Sequence, residues 1–232
     1  MFTSKHSTTA TNHIVSLNFQ PPLTHDGEDK RPPIDIHFVI DVSYSMDEVV
    51  PDQTGDGLRL TILDLVKHTV KTLVKSMSNK DRVSIVKYST AAQVVLSNVV
   101  TSELNKPDIL DKISALRVEG QTNIWDGLKT ALDINKSIGV SGRGRNSSIM
   151  LLTDGQSNIN PPRGLKAMLH KYKEQYEINC NINTFGFGYS NDSTILTEIS
   201  DCCNGIYGFI PDGTFVGTIF TNIMSNELCT YC

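Results

Sequence analysis

The chain contains two short runs of apolar residues that end in polar ones. Ile34 to Asp41 is rich in β-branched and aromatic residues and contains the apolar run Phe38 to Ile40, and Ser148 to Thr153 contains the apolar run Ile149 to Leu152. Continuous apolar runs of this length are typical of strands buried on both faces of a parallel sheet. Leu58 to Met77 instead repeats apolar residues at helical spacing, which predicts an amphipathic helix.

The same reasoning assigns the other segments. Strands are predicted over Arg82–Tyr88, Ala91–Val95, Ile178–Phe187 and Gly205–Ile210, and helices over Pro107–Leu116, Asn123–Ile138, Pro161–Tyr176, Ser193–Ser200 and Thr214–Leu228. This alternation indicates a three-layer, Rossmann-like α/β fold with a doubly wound, mostly parallel sheet of six strands. The link between Tyr88 and Ala91 is too short for a crossover, so one edge strand should be antiparallel.

Two helix starts carry their own signals. Asn123 and Asp126 have the spacing of a capping pair, in which the first residue caps the helix and the second lies three residues on. Pro161 and Pro162 suit the first turn of a helix, where a missing backbone N–H costs little. We therefore expect the helices to begin at these residues.

The organisation that we expect has three parts: an N-terminal tail over 1–33, one domain over 34–228, and a cysteine-containing tail over 229–232. The first twelve residues are polar and predict a loose segment. His13 to Phe19 alternates apolar and polar residues like an edge strand, and four prolines then mark a loop up to Pro33. No shift in composition suggests a further boundary before Leu228.

Composition narrows the class of function. The 232 residues are 39% hydrophobic and 20% charged, with a net charge of −4 and no basic block, which argues against a nucleic-acid-binding face. No apolar run reaches the roughly 18 residues that a membrane-spanning helix needs. The N-terminal segment lacks the pattern of a signal peptide, so we expect an intracellular location and no membrane partner. The cysteines are odd in number, five, and do not suggest a disulfide framework.

Ligands of an open α/β sheet bind beyond the carboxyl ends of its strands. Oxygen-bearing side chains follow the two predicted buried strands and also occur in the loop that enters the helix at Asn123. The candidate metal ligands are Asp41, Ser43, Ser45, Thr122 and Asp154. The first three alternate along the chain, so in an extended loop they point the same way. We expect all five to gather in one pocket.

The chemistry of this set favours a hard divalent cation. Hydroxyls and carboxylates, without nearby Cys or His, suit Mg²⁺ above all, with Ca²⁺ or Mn²⁺ as alternatives. An ion that neutral hydroxyls coordinate, with the carboxylates acting through water, keeps most of its electrophilicity. It can then attract an Asp or Glu side chain of another protein.

Three segments together resemble the von Willebrand factor A domain family and its metal-ion-dependent adhesion site. They are Asp41-Val-Ser43-Tyr-Ser45-Met, Thr122-Asn-Ile and Leu-Leu-Thr-Asp154-Gly, and the resemblance spans about Ile34 to Leu228. It implies that Ser43, Ser45 and Thr122 contact the metal, whereas Asp41 and Asp154 hold it mostly through water. It also implies Mg²⁺ and a protein partner whose carboxylate completes the coordination.

Two features depart from the family pattern. Tyr44 occupies a position where family members usually have Gly, so its ring either shields the ion or belongs to the partner contact. The loop from Asp47 to Gly57 is long and acidic, so it either repels an acidic ligand or holds a second cation. Both features concern the identity of the ligand more than the metal.

Other interpretations remain open. The same Ser, Thr and Asp side chains could simply cap turns and helix starts. A metal-dependent phosphatase could use Asp41 as a nucleophile, although Ser43 stands where one such family needs a second Asp. Glycine-rich nucleotide-binding motifs and a serine-hydrolase elbow are absent from the sequence. We expect no catalysis, and the chain could be one module of a larger protein of the ubiquitin-ligase or Hint-containing kind. The sequence leaves the oligomeric state open.

Overall fold

The structure is a computed structural model in two units, Met1–Lys30 and Arg31–Cys232. It describes residues 31–50, 59–138, 144–155, 157–176, 180–189 and 192–211, together with the backbone of 6–9 and 12–15. The predicted closing helix over Thr214–Leu228 and the cysteine tail lie outside these residues. So does most of the acidic loop, including Asp52 and Asp56.

The first unit contains a two-stranded antiparallel sheet. Strand β1 spans His6–Thr9 and pairs with β2 over Asn12–Val15. The prediction of a loose segment over the first twelve residues is therefore wrong for β1. The predicted strand over His13–Phe19 agrees with β2 as far as Val15, and the rest of it lies outside the described residues.

The second unit alternates strands and helices as the sequence predicts. The strands are β3 (Ile34–Asp41), β4 (Arg82–Tyr88), β5 (Ala92–Val100), β6 (Asn146–Thr153), β7 (Asn181–Phe187) and β8 (Tyr207–Ile210). The helices are α1 (Ile62–Ser76), α2 (Lys106–Ser114), α3 (Ile124–Ile138), α4 (Leu165–Gln175) and α5 (Ser193–Cys202). None of the helices in the described residues is long and apolar enough to cross a membrane.

These six strands form one sheet in the order β5-β4-β3-β6-β7-β8. Every neighbouring pair is parallel except β4 and β5, which are antiparallel. The predicted fold class is thus confirmed, including the antiparallel edge strand. Because β3 and β6 lie side by side and parallel, the residues that follow Asp41 and Thr153 meet at the same edge.

Three predicted boundaries are wrong for local reasons. Helix α1 begins at Ile62 because Thr61 caps it: its hydroxyl accepts the Asp64 N–H at 3.1 Å, and the Asp64 carboxylate accepts the Thr61 N–H. Helix α4 begins at Leu165 rather than Pro161, because Gly164 lies at φ +76° after a turn. Strand β5 continues to Val100, past Asn98 at φ 54°.

The capping pair predicted for α3 forms only in part. The Asn123 side chain accepts the Asp126 N–H at 3.2 Å, as a helix cap does. The Asp126 carboxylate does not return to Asn123; it accepts the N–H of Ala92, at the start of β5, at 2.7 Å. Asp126 therefore ties α3 to the edge strand.

The apolar side chains form a cluster on each face of the sheet. One cluster joins the sheet to α1 and α2, and the other joins it to α3, α4 and α5. Residues of β3 alternate between them, so Ile34, Ile36 and Phe38 pack with the first cluster and Val39 with the second. Asp41 therefore lies on the α3 side of the sheet.

Candidate metal centre

The candidate ligands lie at the carboxyl edge of the sheet, Asp41 at the end of β3 and the others on three loops. Backbone hydrogen bonds join the first two loops: Glu119 donates to the Val42 carbonyl at 2.6 Å, and Tyr44 donates to the Gly120 carbonyl at 3.2 Å. Asn123 also donates to the carbonyl of Ser89, just after β4. The loop that carries Thr122 is thereby held beside the loop that carries Ser43.

Asp41 is the most deeply buried of the candidates, with no exposed surface. Its carboxylate accepts the Ser43 N–H at 2.8 Å and the Thr153 hydroxyl at 2.6 Å. The Tyr88 hydroxyl donates to the same carboxylate at 3.2 Å. All three partners are neutral, so nothing among them offsets the charge of this buried carboxylate.

The pKa of Asp41 reflects its burial among neutral hydrogen-bond partners. Burial raises the pKa of Asp41 to about 6, although hydrogen bonds from Thr153 and Ser43 oppose the rise. The negative charge of Asp154, itself buried, adds to the rise of this pKa. The two carboxylates are thus close enough to repel each other, and a cation between them would relieve the repulsion.

The hydroxyl candidates are also largely buried. The Oγ atoms of Ser43 and Ser45 lie 3.1 Å apart, and Ser43 is 1% exposed. Thr122 is 2% exposed, and its backbone is held on both sides: its N–H donates to the Asn158 side chain, and its carbonyl accepts the N–H groups of Asn158 and Ile159. The local backbone of Thr122 is therefore held in place.

The sequence reasoning missed the residues that support Asp41. Tyr88 is the register partner of Asp41 on β4 and was assigned only as the end of a strand. Its ring packs against Gly127 of α3, where a Cβ atom would come within 2.6 Å of the ring. Thr153, the residue before Asp154, binds Asp41 and accepts the Gly155 N–H. Strand register could have indicated Tyr88, because parallel neighbours end at the same edge.

The donor set suits a hard cation that hydroxyls help to hold. Among the described residues, no group of three or more His, Cys, Asp or Glu side chains could hold a metal. A site at this edge would thus combine two carboxylates with the hydroxyls of Ser43, Ser45 and Thr122. The structure brings their three loops together, and the role of each side chain as a ligand stays a prediction.

A doubly wound sheet with hydroxyls and carboxylates at its carboxyl edge defines the class of protein. Residues 35–222 match the profile of the von Willebrand factor type A domain, so the chain belongs to this family. Proteins of this family are known for metal-dependent protein interactions and are generally not enzymes.

Comparison with individual proteins agrees with this assignment. The Escherichia coli (strain K12) protein YfbK is 32% identical over 206 residues, which cover 87% of this chain and 32% of YfbK. The Synechocystis protein sll0103 is 28% identical, over 81% of this chain and 40% of that protein. The chain thus spans less than half the length of these relatives.

Solved structures share the fold at lower identity. A von Willebrand factor type A protein from Catenulispora acidiphila has a TM-score of 0.69 and 18% identity, over 85% of this chain and 43% of that one. Proximal thread matrix protein 1 from the mussel byssus, with a zinc-occupied MIDAS motif, has a TM-score of 0.60 and 21% identity. That match covers 83% of this chain and 45% of the mussel chain.

Proposed function

We propose that this domain is a metal-dependent protein-binding module. A divalent ion would lie among Asp41, Ser43, Ser45, Thr122 and Asp154, and an Asp or Glu of another protein would complete its coordination. The observation that carries the proposal is the state of Asp41: a carboxylate with no exposed surface and only neutral hydrogen-bond partners. Burying such a charge is costly unless a cation compensates it.

The candidate ligands would bind the ion in two ways. Ser43, Ser45 and Thr122 would offer neutral oxygens directly to the ion, and Asp41 and Asp154 would hold it mostly through water. The hydrogen bonds from Ser43, Tyr88 and Thr153 orient the Asp41 carboxylate. When bound, the ion supplies a positive charge that attracts the partner's carboxylate.

We propose Mg²⁺ as the resident ion, with Ca²⁺ and Mn²⁺ as alternatives. All the candidate donors are oxygens, which hard cations prefer over softer ones. The mussel protein carries zinc at its own MIDAS motif. Comparing Mg²⁺, Ca²⁺, Mn²⁺ and Zn²⁺ in one titration series would therefore determine the selectivity.

The phosphatase alternative is weakened by the surroundings of Asp41. Its two oxygens accept three hydrogen bonds and are shielded from solvent, so they are poorly placed for nucleophilic attack on a substrate. Phosphate release from p-nitrophenyl phosphate with Mg²⁺ tests this alternative. Turnover that disappears in Asp41→Asn would replace our proposal. An intracellular location stays a prediction from the sequence.

The metal itself is tested by the thermal stability of the folded chain. With Mg²⁺ at ten times its dissociation constant, the free energy of unfolding should rise by about 1.4 kcal/mol. The double variant Asp41→Ala with Ser43→Ala should show no rise. The measurement is the melting temperature in Mg²⁺ against EDTA, supported by calorimetric titration.

A matched control comes from the neighbouring strand. Ser84 is 1% exposed like Ser43, and its hydroxyl accepts the Asn98 N–H at 2.9 Å, away from the candidate ligands. Ser84→Ala should lower the stability but keep the full response to Mg²⁺. Equal responses in the wild type and the double variant would refute the metal site.

A further inference from the structure

A groove between helices α4 and α5 has no part in the function proposed above. Its volume is about 640 Å³, and none of the candidate metal ligands lines it. Apolar side chains of both helices form part of the lining, and its charged and titratable part consists of Arg163, Lys166, His170 and Glu198. Concave sites of this size, apolar with a few polar groups, are typical of binding sites for small molecules.

His170 connects this groove to a thiol. Its Nε2 atom lies 3.5 Å from the Sγ atom of Cys202, the last residue of α5. His170 is exposed and Cys202 is partly exposed, so a solute can reach both groups. A thiol beside an imidazole is a nucleophile beside a base, an arrangement that activates cysteine. The two side chains together therefore have the components of a reactive thiol site.

The next cysteine in the chain has the opposite surroundings. Cys203 is 3% exposed, and burial raises the pKa of its thiol to about 11, although the charge of Lys173 opposes the rise. Cysteine reacts as the thiolate, so Cys203 is inert near neutral pH. Of these two neighbours, Cys202 is thus the one that has a base and that a solute can reach.

The thiol is held at the end of the groove. Lys173 of α4 donates from Nζ to the carbonyl of Cys202, and Lys166 of α4 pairs with Glu198 of α5 at 3.5 Å. Glu198 and Ile199 line the groove, and Cys202 lies four and three residues further along α5. Residues at these spacings are neighbours on a helix face. A molecule bound in the groove therefore lies beside the thiol.

The charges of the lining favour an anionic ligand. Glu198 is balanced by Lys166, whereas Arg163 forms no ion pair with any other residue in the described ranges. The N-terminal residue of α4, Gly164, provides no side-chain cap for the first N–H groups of the helix, which lie on the same side of the groove. A guanidinium group binds carboxylates through two hydrogen bonds, so we expect a ligand with carboxylates.

We propose that Cys202 is a site of reversible thiol–disulfide exchange and that the groove binds a low-molecular-weight disulfide that carries carboxylates. The Cys202 sulfur attacks one sulfur of this disulfide and forms a mixed disulfide, and the S–S bond of the ligand breaks. His170 accepts the proton of the Cys202 thiol, and the departing thiolate takes up a proton. Cys202 is thereby oxidised, and the departing half of the ligand is reduced to a thiol.

The test uses glutathione disulfide as the probe, because it is a small disulfide with carboxylates on both halves. The full chain is reduced, freed of reductant and mixed with the probe in EDTA. Tandem mass spectrometry then follows the mixed disulfide at each cysteine separately, which distinguishes Cys202 from Cys203 and from the remaining three. The same reaction in urea gives the rate for the unfolded chain, and Cys202 should react about tenfold faster in the folded protein.

Three variants at exposed positions separate the contributions. His170→Gln should lower the rate at Cys202 about tenfold, because the thiol loses its base. Arg163→Gln should lower the rate with glutathione disulfide about threefold but should not lower the rate with cystamine, a cationic disulfide. The control Lys171→Gln removes a positive charge from an exposed position on α4 that does not line the groove, and it should leave both rates unchanged.

The possible results support or overturn the proposal directly. A rate at Cys202 that is no higher in the folded than in the unfolded chain, or that is unchanged in His170→Gln, would show an ordinary exposed thiol. Equal effects of Arg163→Gln and Lys171→Gln on both disulfides would show that the groove does not select carboxylates. Fast exchange that requires His170 and distinguishes the two disulfides through Arg163 would support the proposal. All the rates are measured without Mg²⁺, so they do not depend on the metal centre.

Discussion

Strand β3 carries a buried aspartate at each end, and the two have opposite surroundings. Asp35, near the start of the strand, is 4% exposed and is bound by two arginines. Asp41, at its end, is fully buried and has only neutral partners. The two ends of β3 therefore allow a comparison between Asp35, whose charge is balanced, and Asp41, whose charge is not.

The pKa values follow this difference. Burial raises the pKa of Asp35, but the hydrogen bonds and charges of Arg82 and Arg145 outweigh it, and the net pKa is below the ordinary value. At Asp41 burial prevails and raises the pKa to about 6. The amino end of the sheet is thus built for stability, whereas the carboxyl end keeps an uncompensated charge that a cation can use.

The largest change in the free energy of unfolding should come from a substitution at Asp35, whose charge two arginines balance. Asp35→Asn leaves Arg82 and Arg145 without a counter-charge, and breaking a buried ion pair in this way should cost about 3 kcal/mol. Urea unfolding in EDTA measures the loss. As a matched control, Asp108→Asn breaks the exposed pair with Lys112 and should cost no more than about 0.5 kcal/mol. Similar losses in both variants would show that Asp35 is not a structural ion pair.

The second-largest change in stability should come from His37, which lies two residues after Asp35 on β3. The side chain is buried, but its Nδ1 atom has no hydrogen-bond partner among the described residues. Burial lowers the pKa of His37 to about 4, although the charge of Asp35 opposes this.

This low pKa makes stability depend on pH with a defined sign. The folded protein takes up the proton only near pH 4, whereas the unfolded chain takes it up near pH 6.5. Stability from neutral His37 is therefore complete above pH 6.5 and is lost as the pH falls toward 4. Between pH 7 and 5 the wild type should lose about 2 kcal/mol more than His37→Gln does.

The comparison isolates His37, because both proteins retain Asp35 and Asp41. His68→Gln, at an exposed position on α1, should keep the pH dependence of the wild type. Urea unfolding at several pH values measures all three proteins. Parallel curves for the wild type and His37→Gln would contradict the prediction.

These residues also show how far a sequence can predict such a structure. The bounds of β3 and β4 agree with the prediction to the residue, because both segments are rich in β-branched and aromatic residues and lie between loop residues, Pro33 before β3 and Asp81 and Ser89 around β4. The start of α4 could not be predicted, since Pro161 and Pro162 suit a turn as well as a first helical turn. The conformation of Gly164 decides between the two.

Sequence reasoning likewise identified some residues of the candidate site and missed others. Its five oxygen-bearing residues were evident because four of them lie at or just after the ends of two predicted strands, and Thr122 lies in the loop that enters a predicted helix. Tyr88 and Thr153, which bind Asp41, were not, because each reads as an ordinary strand residue. The balance at Asp35 was equally hidden, since Arg82 and Arg145 lie 47 and 110 residues away. Contacts that depend on strand register leave no local pattern.

The smallest change in the free energy of unfolding should come from a substitution at Asp41. Its sign should be opposite to that of Asp35→Asn. Asp41→Asn removes a buried negative charge that Asp154 repels, while its carbonyl can still accept the Ser43 N–H. The Thr153 and Tyr88 hydroxyls can rotate to accept from the new amide. In EDTA the variant should therefore be more stable than the wild type by about 1 kcal/mol.

Saturating Mg²⁺ should remove or reverse this advantage, because only the wild type can bind the ion. Urea unfolding of both proteins in EDTA and in Mg²⁺ gives the four free energies that are needed. If Asp41→Asn destabilised the protein in EDTA as strongly as Asp35→Asn does, Asp41 would be a structural carboxylate like its counterpart. The two ends of β3 would then have the same role, and the argument for a cation at Asp41 would fail.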